Sequence, residues 1–301
     1  MSTKDEYEVS TIGEEYTNEY RIFIEKNGKV ISPFHDVPLF VDSEKKIVNM
    51  IVEVPRWSNA KFEIATNEPF NPIKQDVKKG KLRFVRNCFP FKGYIWNYGA
   101  LPQTWENPTI ISNDTNTRGD NDPIDVCEIG QEIGFKGQIK QVKILGILAL
   151  LDEDETDWKL IAIDIKDPLS HKLNDIHDIE IYFPDLMKAT RQWFKIYKIP
   201  DGKLANKFGF NGEFKNKDYA YKIIQETHES WKGLIEGRIP YKSDTHHINV
   251  MNVTIKNSPY KLLHDDDKKT IMIKHLKKQY KRKCHVKEKD DKWYFVAKSQ
   301  L

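Results

Sequence analysis

The chain has 301 residues, enough for one large domain or two small ones with a sizeable core. With 39% hydrophobic and 31% charged residues it has a globular composition on the polar side, and no apolar stretch approaches the roughly 20 residues of a membrane span. The formal charge of +3 hides an asymmetry, because residues 268–289 carry ten Lys or Arg against Glu288 alone, a local +9 that leaves the rest at −6.

The opening Met1-Ser2-Thr3-Lys4-Asp5-Glu6 lacks the basic-then-apolar order of a signal peptide. Cys88, Cys127 and Cys284 are odd in number and widely spaced, which suits neither a disulfide framework nor a zinc site. A reducing, cytoplasmic setting is therefore expected. Residues 1–19 are polar and expected to form a flexible N-terminal segment.

From Tyr20 to about Ile165 the pattern is mostly strand. Arg21-Ile22-Phe23-Ile24-Glu25 before Asn27-Gly28 predicts a hairpin. Further strands are expected at 48–54, 60–65, 81–86, 125–129, 139–151 and 158–165. Gly93, Gly99, Pro102, Pro108 and Gly119 mark 87–120 as a long loop region. So many short strands in about 150 residues argue for a closed or nearly closed antiparallel barrel.

Helices follow. Pro184-Asp185 opens one that runs to about Tyr197. The clearest spans about 216–236, where Ala220, Ile223, Ile224, Trp231, Leu234 and Ile235 form one apolar stripe and Gly237 suits the position after the last turn. That stripe reads as packing against the barrel.

Several strand residues break the apolar alternation. Lys61 and Glu63 share a face opposite Phe62 and Ile64, Glu53 departs from Val52 and Val54, and Arg83 departs from Leu82 and Phe84. Three elements thus direct charge toward one side, where a barrel interior calls for apolar groups.

Asp120-Asn121-Asp122-Pro123-Ile124-Asp125-Val126 places three carboxylates within six residues. Like charges this close raise one another's pKa unless a cation neutralises them. Pro123 fixes its own φ and keeps Asp122 extended, so the acids sit on a rigid turn leading into a strand. Such a turn suits hard, oxygen-liganded cations such as Mg²⁺. Taken alone, it is a solvated acidic turn more often than a metal site. It is not an EF-hand, whose sixth Gly and twelfth Glu are here Asp125 and Gln131.

A second acidic run, Asp152-Glu153-Asp154-Glu155-Thr156-Asp157, lies between two strand patterns and precedes Trp158-Lys159. Two acidic loops flanked by Lys61, Arg83 and Lys159 are a combination that collects cations and, with them, a polyphosphate. No P-loop, G-x-G-x-x-G or G-x-S-x-G motif is present.

Asp120–Val126 resembles the signature of the family I soluble inorganic pyrophosphatases. Val54–Glu63, Lys81–Arg86, Tyr94–Gly99, Gly119–Val126, Asp152–Lys159 and Arg191–Gly202, which holds Tyr197-Lys198, match that family in order. The resemblance covers about residues 18–235 and is to the long eukaryotic, fungal- and animal-like form. It implies a mainly β fold with α, a five-stranded OB-like barrel with flanking helices and the site at its mouth. The expected activity is hydrolysis of inorganic pyrophosphate to two orthophosphates by a metal-activated water, without a covalent intermediate. By the same resemblance Asp120, Asp125 and Asp157 would ligate the first metal, with Asp152 and Glu63 holding metals that arrive with substrate. Asp122 would accept the proton of the attacking water. Arg83, Tyr197 and Lys198 would grip one phosphoryl group, Lys61 and Tyr98 would attend the other, and Lys159 and Glu53 would support the cluster. Several Mg²⁺ per site are implied, with Mn²⁺ or Zn²⁺ able to substitute.

Phe91-Lys92 replaces a histidine pair of the fungal relatives, and Trp96 replaces a histidine. A homodimer is expected, with Arg56, Trp57 and Trp293 near its interface. The division expected is 1–19 flexible, 20–239 catalytic, 240–289 a lysine-rich extension or insertion, and 290–301 a C-terminal strand segment. No membrane contact is expected, and nucleic-acid binding only through residues 268–289. Two other functions fit part of the pattern. OB barrels often hold oligonucleotides, which the acidic body disfavours. A hydrolase of longer polyphosphates or nucleotides on the same scaffold stays open.

Overall fold

A computed structural model describes residues 7–44, 46–152, 155–244, 246–262 and 292–301. Five strands carry the architecture: β1 (Ile47–Val54), β2 (Asn97–Ala100), β3 (Asp125–Glu128), β4 (Ile139–Asp152) and β5 (Glu155–Asp164). β1 pairs with β4, β4 with β5, β5 with β3, β3 with β2, and β2 returns to β1, which closes a five-stranded ring. Four of these pairings are antiparallel, and β3 runs parallel to β5.

The two faces of these strands enter different cores. Val126, Leu160 and Ala162 pack with Ala220, Ile223 and Ile224 of the last helix, whereas Cys127, Ile161 and Ile163 pack with residues of two earlier helices. Those helices are α1 (Ile176–Tyr182) and α2 (Leu186–Ile196), and α3 spans Lys217–Ile235. Asn216 caps α3, its side chain accepting from the Tyr219 N–H at 3.0 Å, and Gly237 takes φ +76° just past its end.

The predicted hairpin is present as Arg21–Lys26 and Lys29–Ile31, with Asn27 and Gly28 at φ 53° and 72°, the left-handed pair that a tight hairpin turn requires. It belongs to a second sheet with Tyr7–Ile12, Phe62–Ile64 and Ile73–Gln75.

Three regions depart from expectation. Residues 7–12, placed in a flexible segment, form a strand paired along its whole length with Arg21–Lys26. The region 87–120, read as loop, contains β2, a full member of the ring. Its Gly99 lies so close to β1 that a Cβ there would sit 1.8 Å from the Ile51 carbonyl oxygen. Glycine here marks a close strand approach, the meaning opposite to a loop. Strand character over 81–86 shrinks to Lys81–Leu82 plus an isolated bridge between Ala60 and Phe84.

Residues 246–262 lie within the stretch 240–289 expected to be an extension or insertion, and there Ile248 and Val250 are buried in a core with Phe34, Trp105 and Trp231. The Asp36 carboxylate accepts from the N–H groups of Val253 and Thr254. The basic run from Lys268 to Lys289, with Cys284, lies outside the described residues. Trp293–Tyr294 pairs parallel with Asn87–Cys88. Among the described residues no helix is long and apolar enough to cross a membrane.

Candidate active site

Asp125 opens β3, Asp152 closes β4, and Asp157 lies two residues into β5. The register sets Asp125 beside Lys159 and Asp152 beside Glu155, so these acids gather at one end of the ring. Asp120 and Asp122 precede β3 on a turn in which the Asp122 N–H donates to Asp120 Oδ1 at 3.0 Å and Asn121 takes φ 74°. The turn is tied down from behind by the Asn121 N–H to Glu106 carbonyl bond and the Glu106 N–H to Asp122 carbonyl bond, both 2.9 Å.

Around this end lies a cavity of about 200 Å³. Its walls contain every site residue named from the sequence: Glu53, Lys61, Glu63, Arg83, Tyr98, Asp120, Asp122, Asp125, Asp152, Asp157, Lys159, Tyr197 and Lys198. Residues from 53 to 198 thus meet in one concave space.

Lys159 is buried in the cavity lining. Its Nζ donates to Asp125 Oδ2, to Asp157 Oδ1 and, at 2.9 Å, to the Tyr98 hydroxyl. The Tyr98 O–H in turn donates to Asp125 Oδ2. Burial opposes charge on Lys159, but Asp125 and Asp157 outweigh it and hold the ammonium pKa well above its ordinary value. At the rim Lys198 pairs with Asp152, Lys61 with Glu63 at 2.6 Å, and Arg83 with Asp76 at 2.9 Å.

The carboxylates outnumber the cations between them. Burial and then Asp122 push Asp120 well above the usual carboxylate range, and burial with Asp125 does the same to Asp157 and Glu53. Asp122 opens onto the cavity and is also raised, first by desolvation among the groups around it and then by Glu63. Such crowding is an electrostatic demand for more positive charge. The donors are all oxygens, which suits Mg²⁺ or Mn²⁺ better than a soft metal.

Residues 50–232 match the family model described as "Inorganic pyrophosphatase". An inorganic pyrophosphatase of Emericella nidulans is 59% identical over 252 residues, covering 84% of this chain and 86% of its own length. The chain belongs to the inorganic pyrophosphatase family. A relative of the same name from Neurospora crassa is 52% identical over 292 residues, 97% of this chain and 98% of its own. The solved inorganic pyrophosphatase of Schistosoma japonicum superposes with a TM-score of 0.86 at 49% identity, covering 96% of this chain and 100% of that one.

Within this family fold, Trp96 is wholly buried, stacks on Phe194 at 4.9 Å between ring centroids, and donates its Nε1–H to Thr190 at 2.9 Å. Trp96, the residue just before β2, thus makes a core contact with α2. Phe91 packs beside the same core, and Lys92 is exposed.

One acid of this site is missing from the sequence reading. Glu106, 3% exposed, has a carboxylate oxygen within 4.8 Å of oxygens of both Asp120 and Asp157. Its Oε1 accepts from the Trp158 N–H at 3.1 Å, while its Oε2 is buried without a hydrogen-bond partner. Burial, Asp120 and Asp157 push its pKa well up. An orphaned buried oxygen beside two carboxylates fits a bound cation or its water. Asp125, whose Oδ2 accepts from Lys159 and Tyr98, is not part of this trio. A lone Glu in a loop gives no pattern to read. Tyr94, Trp193 and Phe194 also line the cavity, where an aromatic residue carries no sequence signal that separates it from core.

Proposed function

We propose that this cavity hydrolyses inorganic pyrophosphate to two orthophosphates, using several Mg²⁺ ions and no covalent intermediate. One observation carries the reading: eight acids and four cationic side chains from separate elements line a single small cavity. The chain is a hydrolase of the inorganic pyrophosphatase family.

Asp120, Asp125 and Asp157 would hold the first ion, with Glu106 behind Asp120 and Asp157. Asp152 and Glu63 would hold ions that enter with substrate. When bound, divalent ions supply Lewis acidity, lowering the pKa of water far below 15.7 and neutralising phosphoryl charge. The residues do the remainder. Asp122, open to the cavity, takes the proton of the attacking water. Arg83, Tyr197 and Lys198 grip one phosphoryl group, and Lys61 with Tyr98 attends the other. Lys159 keeps Asp125 and Asp157 from repelling each other, and Glu53, accepting from the Ile64 N–H at 2.8 Å, supports the strand that carries Glu63. Positioning and electrostatics suffice for phosphoryl transfer, so no side-chain nucleophile is required.

The test compares phosphate release from pyrophosphate, tripolyphosphate and ATP with Mg²⁺, Mn²⁺, Zn²⁺ or chelator. Pyrophosphate cleavage with Mg²⁺ and none with chelator is the expected result. Preference for tripolyphosphate or ATP would move the assignment to another phosphoanhydride.

We further propose a homodimer in the cytoplasm. Trp57 is 54% exposed beneath the Arg56 guanidinium, and Trp293 shares an exposed patch with Phe89 and Phe295. Exposed aromatic clusters of this kind favour burial against a second surface.

A further inference from the structure

A second cavity lies between helix α3 and the loop that leaves Glu106 and returns at Asp120. Its volume of about 700 Å³ falls within the roughly 300–1,000 Å³ of small-molecule pockets. Trp105, Trp158, Ile223 and Ile239 form apolar walls, and the exposed acids Asp114, Glu226 and Glu229 line it together with Lys222. Asp114 ties the loop to the helix, its Oδ2 accepting from the Tyr219 hydroxyl at 2.5 Å and pairing with Lys222 at 3.4 Å.

Glu106 also lines this cavity. It is 3% exposed, its Oε1 accepts from the Trp158 N–H, and its Oε2 has no hydrogen-bond partner. A carboxylate oxygen of the same residue lies within 4.8 Å of oxygens of Asp120 and Asp157. Gly119 and Thr156, which line the second cavity, directly precede Asp120 and Asp157 in the chain. The second cavity therefore backs onto the acidic trio of the first. A buried carboxylate with a bare oxygen calls for a donor, and a charged donor answers best. Apolar walls, two of them indoles whose faces attract cations, call for an apolar body on that donor.

We propose that the second cavity binds an organic cation, an ammonium group on an apolar body, whose N–H donates to Glu106 while the body lies against Trp105 and Trp158. A bare metal ion would leave the apolar walls unused, and an organic anion would meet four carboxylates. Occupancy here opposes divalent-cation binding in the first cavity. Glu106, Asp120 and Asp157 share one excess of negative charge, so a cation on either side leaves less attraction for the other. The coupling is reciprocal, and Mg²⁺ weakens the organic cation by the same factor. The coupling rests on the metal site proposed above, whereas the binding does not.

Calorimetry of the full chain in chelator, with 4-phenylbutylamine, 4-phenylbutanol and 4-phenylbutyrate as probes, tests the binding. The amine is expected to bind one site per chain about ten-fold or more tightly than the alcohol, the scale of a charge-assisted hydrogen bond, and the carboxylate not at all. Ser230→Phe, at a half-buried lining position on α3, fills the cavity and abolishes amine binding, while phosphate release from pyrophosphate stays at the wild-type rate. No binding of the amine, equal affinity for amine and alcohol, or undiminished binding in Ser230→Phe overturns the proposal. Should Ser230→Phe fail to fold, Glu226→Lys combined with Glu229→Lys is read instead, both positions being exposed. Weakened amine binding there supports the proposal, and wild-type affinity overturns it. Repeating the wild-type titration in saturating Mg²⁺ should raise the amine Kd at least about five-fold, and an unchanged Kd overturns the coupling. A chain that binds the amine in chelator but releases no phosphate from pyrophosphate would refute the proposed activity and leave the second site standing.

Discussion

Lys159 and Asp125 face each other across the single parallel pairing of the ring and form a buried ion pair, which Asp157 joins from two residues upstream of Lys159 on the same strand. A cation is thereby built into the floor of an acidic cavity, where it holds two of the proposed metal ligands together before any metal arrives.

Removing that cation exposes the repulsion it offsets. Lys159→Gln is expected to lower stability without metal by about 3–5 kcal/mol, the usual loss when one partner of a buried pair is deleted. Added Mg²⁺ recovers part of it. Chemical denaturation with chelator and with Mg²⁺ measures both, and an unchanged midpoint with chelator contradicts the structural role.

Asp122→Asn and Asp125→Asn remove, respectively, the proposed proton acceptor and a proposed ligand. Each is expected to lower kcat by at least about a hundred-fold, the scale of general base and metal-ligand losses. The fold should persist, because the Asp122 side chain opens onto the cavity and an amide in place of the Asp125 carboxylate can still accept from Lys159 and Tyr98. Near-normal phosphate release from either purified variant would refute the role of the residue it replaces.

The carboxylates also set a pH dependence. Asp120, Asp122, Asp157, Glu53 and Glu106 all have folded pKa values above their unfolded ones. Over that window these groups bind more protons in the folded state than in the unfolded state, so their contribution to metal-free stability is fully present below the unfolded carboxylate values near about 4 and is lost as pH rises through the raised ones. Bound Mg²⁺ replaces those protons. Melting temperatures at about pH 5.5 and about pH 8, with chelator and with Mg²⁺, should show a larger gain from Mg²⁺ at the higher pH. An equal or smaller gain there counts against a shared cation site.

Trp96 offers a control on stability. Trp96→Ala empties a site packed against Trp193 and Phe194 and strands the Thr190 hydroxyl, so a loss of about 3–5 kcal/mol is expected. Denaturant titration reads it, and a loss below about 1 kcal/mol would show that the site collapses around the gap.

Light scattering at micromolar concentration addresses assembly. A dimer mass for the wild type and a monomer mass for Trp57→Ala combined with Trp293→Ala are expected. A wild-type monomer removes the dimer proposal.

Local chemistry made much of this molecule legible from its residues alone. Largely apolar runs at 48–54, 139–151 and 158–165 exposed the long strands, Asn27-Gly28 the hairpin, and the apolar stripe with Gly237 the last helix, because each depends on neighbours a few positions away. The crowding in Asp120–Asp125 and the misplaced charges Glu53, Lys61, Glu63 and Arg83 likewise marked the site, since charge where apolar groups belong is visible without a fold. Contacts distant in sequence stayed hidden. Only ring closure turns Asn97–Ala100 into a strand, because Gly99 is required by the backbone of Ile51. Only folding brings Glu106 against Asp120 and Asp157, or sets Asp76 behind Arg83. Pairings across many residues are chosen by the geometry of the closed sheet, and no local pattern encodes them.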